Sequence, residues 1–449
     1  MIVGGGLAGL TCAYRLKQKG IHADLIEGNT RLGGRCATLR GAFAEGQIVE
    51  RGGELIDTRH REIRTLAEEL GLSLDDLQAD QPAGTDLLGF FSGSRYSWTE
   101  ATRDFGQVFP AIERDVSALE TLGGAHAAQR ALDVDRMTVA AWIEHEVPGG
   151  LGSRFGKLLD VACTTEFGLD SAEASGANLI WMLGGSPQDR LEIFGDSDER
   201  YHIRGGNDQL VSLMAQALDG QITTGCRLES LVRTPAGRYE VSVAGDMSHK
   251  TIVADRVVLA LPFTTLHRMV DYRKAGFGPQ KRTVIAEYRL GTNAKHHLQF
   301  QSRHWRAQGS TGETFADTGY QNSWEVTRSQ PGTAGILVDY TGGAIGLASN
   351  AGTLEERSRA VLAQFEPVLS GTAQGWNGQA AREYWPGNPW SLGSYSCYTP
   401  GQYHRFGNSA AARSHNCHFA GEHTSIESQG FLNGGVESGE RAARELLAG

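Results

Sequence analysis

The chain has 449 residues, 40% of them hydrophobic and 21% charged, which predicts a soluble globular protein of two large lobes rather than a single core. A formal charge of −10 excludes the basic face that nucleic acid or an anionic membrane would require. No apolar run approaches the ~18 residues of a bilayer span.

In chain order, the opening "MIVGGGLAGL" reads as a strand followed by a glycine turn, and "LAGLTCAYRLKQKG" as a helix stopped by Gly20. "HADLIEG" is a short buried strand, which completes a β-α-β unit. "REIRTLAEELGL", residues 61–72, is an amphipathic helix ended by glycine. From about 80 to 200 the pattern is mostly helical and irregular. "YHIRGGNDQLVSLMAQAL" starts a helix after a glycine turn, "QITTGCRLESLVRTPAGRYEVSVAG" alternates as a β-meander, and "ADRVVLALP" is a buried strand ended by proline. A second β-rich region spans roughly 282–340. The last stretch is strand, loop, then a helix opening at "GGVESGERAA". No repeat or low-complexity linker interrupts the chain, so the lobes are expected to be joined by several crossings.

Gly4, Gly6 and Gly9 form G-x-G-x-x-G between a strand and a helix, and Glu27 ends the next strand. This is the pattern of a dinucleotide site: a tight turn, close approach to the pyrophosphate, close helix packing, and an acid for the ribose hydroxyls. An acid at that place disfavours a 2′-phosphate. In "RLGGR", Arg31 and Arg35 flank Gly33 and Gly34, well suited to pyrophosphate oxygens. Met1 to Val3 are short for a first strand, which implies residues upstream. The six cysteines stand apart, at 12, 36, 163, 226, 397 and 417, and read as buried thiols rather than a zinc site or disulfides. His296 and His297 face opposite sides of a strand, so no metal is expected.

Taken together, "IVGGGLAGL", "RLGGR", "ERGGELIDTRHREIRTLAEELGL", "YHIRGGNDQL", "VVLALP", "GTNAKHHLQF" and "HFAGEHTSIESQGFLNGGVESGERAA" carry a resemblance to the flavin-containing amine oxidases, the family of monoamine, polyamine and L-amino-acid oxidases. The resemblance runs almost the full length. It implies an α/β fold: a doubly wound, Rossmann-like FAD lobe interleaved with an α+β substrate lobe. It also implies FAD as the nucleotide, and it adds Gly52, Gly53, Glu54, Leu228, Trp385, Gly421 and Glu422 to the cofactor residues. Gly434, Gly435 and Val436 would open the helix whose amides face the flavin's pyrimidine edge. Ser394 stands where some relatives carry a flavin-linked cysteine, and Cys397 is not expected to substitute, so the FAD is expected to be non-covalent.

By the same resemblance, Lys295 holds a water at the flavin that assists oxygen reduction or imine hydrolysis. Tyr395 and Phe431 form the aromatic cage for the amine. Phe431 departs from the usual tyrosine, keeping the ring face and losing the hydroxyl. Leu55 stands where amino-acid oxidases often have an arginine, which lowers the odds of the usual carboxylate clamp. Glu54 beside it either greets a cationic amine or pairs with a neighbour. The expected activity is oxidation of a primary amine or polyamine to an imine, with hydrogen peroxide formed from oxygen, and L-amino-acid oxidation is the alternative. The expected FAD lobe is 1–80, 200–270 and 385–449, and the substrate lobe is 81–199 and 271–384. Neither a nucleic-acid partner nor a membrane anchor is expected. The oligomeric state stays open, a homodimer among its options, and so does the compartment, cytoplasmic or reached through an upstream export signal.

Overall fold

The opening strand–turn–helix builds one crossover of a parallel sheet. In the computed structural model, which describes residues 1–122, 128–245 and 248–448, Ile2–Val3 lies at the centre of five parallel strands. Their order is Cys417–Phe419, Val257–Leu259, Ile2–Val3, Leu25–Ile26 and Ile222–Thr223. Helix Leu7–Gln18 buries Leu7, Leu10, Ala13 and Leu16, and Gly20 follows it in the left-handed region at φ +74°. It packs against the C-terminal helix Leu432–Leu447 so closely that a Cβ at Gly439 would lie 2.4 Å from the Ala8 carbonyl oxygen. An antiparallel meander, Arg227–Arg233, Tyr239–Gly245 and Ser248–Ala254, leans on this sheet. Ile222–Thr223, at the head of the expected meander, instead joins the parallel sheet as its edge strand.

A second, seven-stranded mixed sheet has the order Trp376–Tyr384, Ala294–Phe300, Gly335–Thr341, Asn322–Glu325, Ser310–Ala316, Asp86–Phe91 and Ser94–Ser97. Helices between Trp98 and Leu183 form a separate apolar core around Phe105, Trp142 and Leu158. Within it, buried Asp115 is held by the guanidinium groups of Arg114 and Arg130 and by the Trp142 indole N–H, which donates at 2.8 Å.

Three elements depart from the expected pattern. Pro279–Glu287 is a helix, although the β-rich reading began at 282. Proline at its start fixes the first φ and needs no partner for a missing N–H, and Lys281, Val284 and Ile285 make one buried stripe. Asp86–Phe91 and Ser94–Ser97 form a hairpin inside the stretch read as mostly helical. Ser92 and Gly93 turn it with φ +56° and +76°, the pair of positive values a two-residue loop requires. The last helix begins at Leu432, two residues before the expected opening. All six cysteines are buried and unpaired. No helix among the described residues is long and apolar enough to cross a membrane.

Candidate active site

One continuous cleft runs from the glycine turn to the seven-stranded sheet. At its nucleotide end the backbone itself is the wall. A Cβ at Gly9 would stand 1.9 Å from the Gly4 carbonyl oxygen and one at Gly4 would stand 2.4 Å from that of Ala260, whereas one at Gly6 would meet nothing within 4 Å. Gly4 and Gly9 are therefore demanded by packing, and Gly6 leaves open space facing the cleft. The Glu27 carboxylate accepts from the Gly5 N–H at 2.6 Å and the Asn29 N–H at 2.7 Å, tying the second strand to the turn. Burial pushes its pKa up, partly offset by those N–H groups.

Arg31 folds back to donate to the carbonyls of Leu32 and Gly34. Arg35 donates to the Ser394 carbonyl and to Glu422, each at 2.7 Å. Glu422 also accepts from Ser396 and from the Gly430 N–H. Burial works against its charge, yet Arg35 leads the groups that hold its carboxyl below the usual range. Gly34, Gly52, Gly53, Leu55, Leu228, Trp385, Gly421 and Gly435 also line the cleft, while Gly9, Gly434 and Val436 pack behind it. The Trp385 indole N–H donates to the Arg51 carbonyl at 2.9 Å, which fixes the bend carrying Gly52. Ser391 lines the same wall, and its buried hydroxyl has no partner among the described residues.

At the other end stands Lys295, on the cleft face of strand Ala294–Phe300 and only 5% exposed. Its ammonium donates to Glu54 Oε2 at 2.7 Å, to the Gly52 carbonyl at 2.9 Å and to the Glu50 carbonyl at 3.4 Å. Three donors thus meet three protein acceptors. Glu54 Oε1 takes the Trp324 indole N–H at 2.9 Å, and the Lys295 Nζ lies 5.4 Å from the centre of that indole. Of the two fates open to Glu54, the structure shows pairing with a neighbour. Tyr395 donates to the Thr165 carbonyl at 2.9 Å, so the 2.6 Å contact between the Tyr340 and Tyr395 hydroxyls has Tyr340 as donor. Phe431 also lines the cleft, its ring 4.9 Å from that of His60. His296 and His297 do face opposite sides of their strand, and no metal-ligating cluster exists among the described residues.

The sequence reading missed Trp324, Tyr340 and a set of charged groups: Glu166, Glu199, Glu313 and Arg328 all line the cleft. Trp324 and Tyr340 carry a faint signal, since both recur in phase on strands of the β-rich region. The four charged residues carry none, because they come from a helix end, an irregular loop, a strand and a turn.

A parallel sheet with a glycine-rich turn at its switch point, opening onto a buried lysine and aromatic rings, defines a dinucleotide-dependent enzyme. The family model for flavin-containing amine oxidoreductases matches residues 7–447, and the chain belongs to that family. Among its relatives are the flavin-containing amine oxidase of Oncorhynchus mykiss, 24% identical over 476 residues, covering 100% of this chain and 85% of the relative. The L-amino acid dehydrogenase of Synechocystis is 24% identical over 472 residues, covering 100% and 94%. Cyclohexylamine oxidase from Brevibacterium oxydans superimposes with a TM-score of 0.85 at 21% identity, covering 100% of this chain and 98% of that one. The cofactor is FAD. The residues present fit it: the open face of Gly6, the unpartnered Ser391 hydroxyl and the peptide walls of Gly34, Gly52 and Gly421 are the surfaces a dinucleotide needs.

Proposed function

We propose that the protein oxidises the C–N bond of a primary amine or polyamine, with oxygen as the acceptor. The observation that carries this reading is the buried Lys295, set between Glu54, Trp324 and Tyr340 in the same cleft as the glycine turn. The overall change is R–CH2–NH2 + O2 + H2O to R–CHO, NH3 and H2O2. FAD, when bound, would supply the hydride acceptor for the α-carbon and the redox link to oxygen. Gly4, Gly6, Glu27, Arg31, Arg35, Leu228 and Gly421 would hold the dinucleotide, and Gly52, Trp385 and the start of helix Leu432–Leu447 its reactive ring.

The chain's own part is to position and desolvate the amine. Tyr395 and Phe431 present ring faces to a neutral amine, and the Tyr340–Tyr395–Thr165 hydrogen-bond chain fixes one of those rings. Burial, reinforced by the Tyr340 hydroxyl and Glu166, pushes the Tyr395 pKa well up, so this phenol stays neutral. Lys295, its three donors held by Glu54 and the Gly52 and Glu50 carbonyls, keeps an ammonium group fixed at the reacting end. A second reading, L-amino-acid oxidation to a 2-oxo acid, is favoured by one observation: Arg328 reaches the cleft with its Nε buried and unpartnered.

The test is anaerobic addition of amines or amino acids to the yellow holoenzyme, followed by aerobic peroxide assay. Loss of the flavin colour with amines, and peroxide on admitting air, is the expected result. Bleaching only by carboxylate-bearing substrates would transfer the reading to the second activity. Lys295→Met should keep FAD but slow reoxidation by about 100-fold, and unchanged oxygen kinetics would remove that role.

A further inference from the structure

We infer that the cleft carries a second cation subsite, built from Glu199 and Glu313 with Glu166 leading to it, and that the substrate bears a second ammonium or guanidinium group at its far end. The inference rests on the amine-oxidising reading and names the substrate class for the same cleft. None of these three carboxylates, nor Arg328, has a side-chain hydrogen bond or ion pair among the described residues, although all four line one cleft. Three other buried acids, Asp115, Glu325 and Glu422, by contrast each hold two or more donors. Unpaired carboxyl groups left facing a cleft are the complement of a cationic ligand.

The register of the second sheet sets the scale. Lys295 pairs with Tyr340, Tyr340 with Asn322, and Thr314 with Ser323. By alternation Glu313 shares the cleft face with Asn322, Trp324, Tyr340 and Lys295. Its strand is three spacings from that of Lys295, about 14 Å. Glu166 sits at the near end, next to Thr165, whose carbonyl receives the Tyr395 hydroxyl. Glu199 lines the same cleft, and its carboxyl feels both Glu313 and Glu166. It is held at φ +44°, a left-handed conformation uncommon for glutamate, and its N–H donates to Asp57 Oδ1 at 3.1 Å. Arg328 lines the cleft as well, and its charge acts on both Glu199 and Glu313.

Each of the three residues is half-buried and lines the cleft. Depth within the protein, first of all, pushes Glu166 up to about 8, Glu199 well above its ordinary value, and Glu313 up. A cation entering between them would reverse that cost. The reacting amine binds neutral at Tyr395, and a chain reaching outward places its second cation beside Glu199 and Glu313. Two kinds of molecule present that chemistry: a linear di- or triamine, and a basic amino acid whose carboxylate meets Arg328.

The experiment compares isosteres differing only in the distal charge, cadaverine with n-pentylamine and L-lysine with L-norleucine, on wild type and on Glu199→Gln and Glu313→Gln holoenzymes. FAD content and thermal midpoint serve as folding controls. We expect the charged member of at least one pair to have kcat/KM about 10-fold or more above its isostere. The difference should lie mainly in KM, and the ratio should fall toward one in either variant. Spermidine should raise the thermal midpoint of the anaerobic wild type more than that of the variants. A preference confined to lysine identifies the carboxylate-bearing source, and one shown by cadaverine the polyamine source; both support the subsite. Equal kcat/KM within both pairs would overturn the subsite while leaving amine oxidation standing. Absence of flavin bleaching with every compound would instead overturn the underlying activity.

Discussion

At the scale of single residues, the cleft holds charge in two contrasting ways. Lys295 and Glu54 are both buried, and each is satisfied: the ammonium by Glu54 and two carbonyls, the carboxylate by Lys295 and the Trp324 indole. Such a pair resists replacement of one member, because the partner left behind is a buried, uncompensated charge. Glu166 has no such partner. Burial first, then Asp57, pushes its carboxyl to about 8, so the native state binds this proton over a range where the unfolded chain has released it. The sign follows from linkage: stability contributed by the protonated group is present below the unfolded value of 4.5 and is lost as pH rises toward 8. The slope carried by this one proton is at most about 1.4 kcal/mol per pH unit. Glu166→Gln should flatten the dependence of the holoenzyme's unfolding midpoint between pH 5 and 8 and raise it at the upper end. An unchanged slope would place the titrating proton elsewhere. Lys295 and the aromatic pair are legible in the chain because their motifs are local. The partnership of Lys295 with Glu54 is not, since 241 positions separate them and only the fold brings them together.

At the scale of elements, the nucleotide end was legible because its determinants lie within one crossover. Gly4 and Gly6 sit between a strand and a helix and Gly9 in the first turn of that helix, and each has the surroundings its spacing implies. The misread elements lacked such local punctuation. Helix Pro279–Glu287 is only nine residues long, too short for periodicity to outweigh the β-branched residues inside it. The hairpin Asp86–Phe91 and Ser94–Ser97 was hidden by "DLLGFF", an apolar run that suits a strand or a helix alike. The helix pair Leu7–Gln18 and Leu432–Leu447 makes the sharpest demand, since Gly9 approaches one backbone and Gly439 another. Gly9→Ala places a methyl 1.9 Å from the Gly4 carbonyl oxygen, and that clash can be relieved only by moving the turn. We expect the variant to fold with its second sheet intact yet retain less than about a tenth of the wild-type FAD, a loss of at least about 1.4 kcal/mol in binding. The readout is the flavin-to-protein absorbance ratio after purification, with circular dichroism as the folding control. Full FAD occupancy would show that the turn tolerates the shift.

At the scale of the whole molecule, the cleft is assembled from segments scattered along the chain. Residues 4–8, 27–36, 52–55, 226–228, 260–270, 385–398 and 421–435 all contribute to its wall, and the far wall comes from strands of the second sheet. No single stretch of sequence could announce this, and the unpaired Glu166, Glu199 and Glu313 became visible only when three distant segments met. The parallel-sheet strands fall within 1–80, 200–270 and 385–449 and those of the second sheet within 81–199 and 271–384, so we read the chain as two lobes crossed by several connections. This interleaving has a thermodynamic consequence. A lobe that cannot be cut from the chain without severing the other should not unfold alone, and a ligand bound in the shared cleft should stabilise both. Free FAD at 100 times its dissociation constant adds about 2.7 kcal/mol to the native state. Scanning calorimetry of apoprotein titrated with FAD should therefore show one transition moving upward as a whole, with tryptophan fluorescence and far-UV circular dichroism shifting together. Two transitions, with only the earlier or the later one responding to FAD, would mean that the two sheets are energetically independent despite their shared cleft.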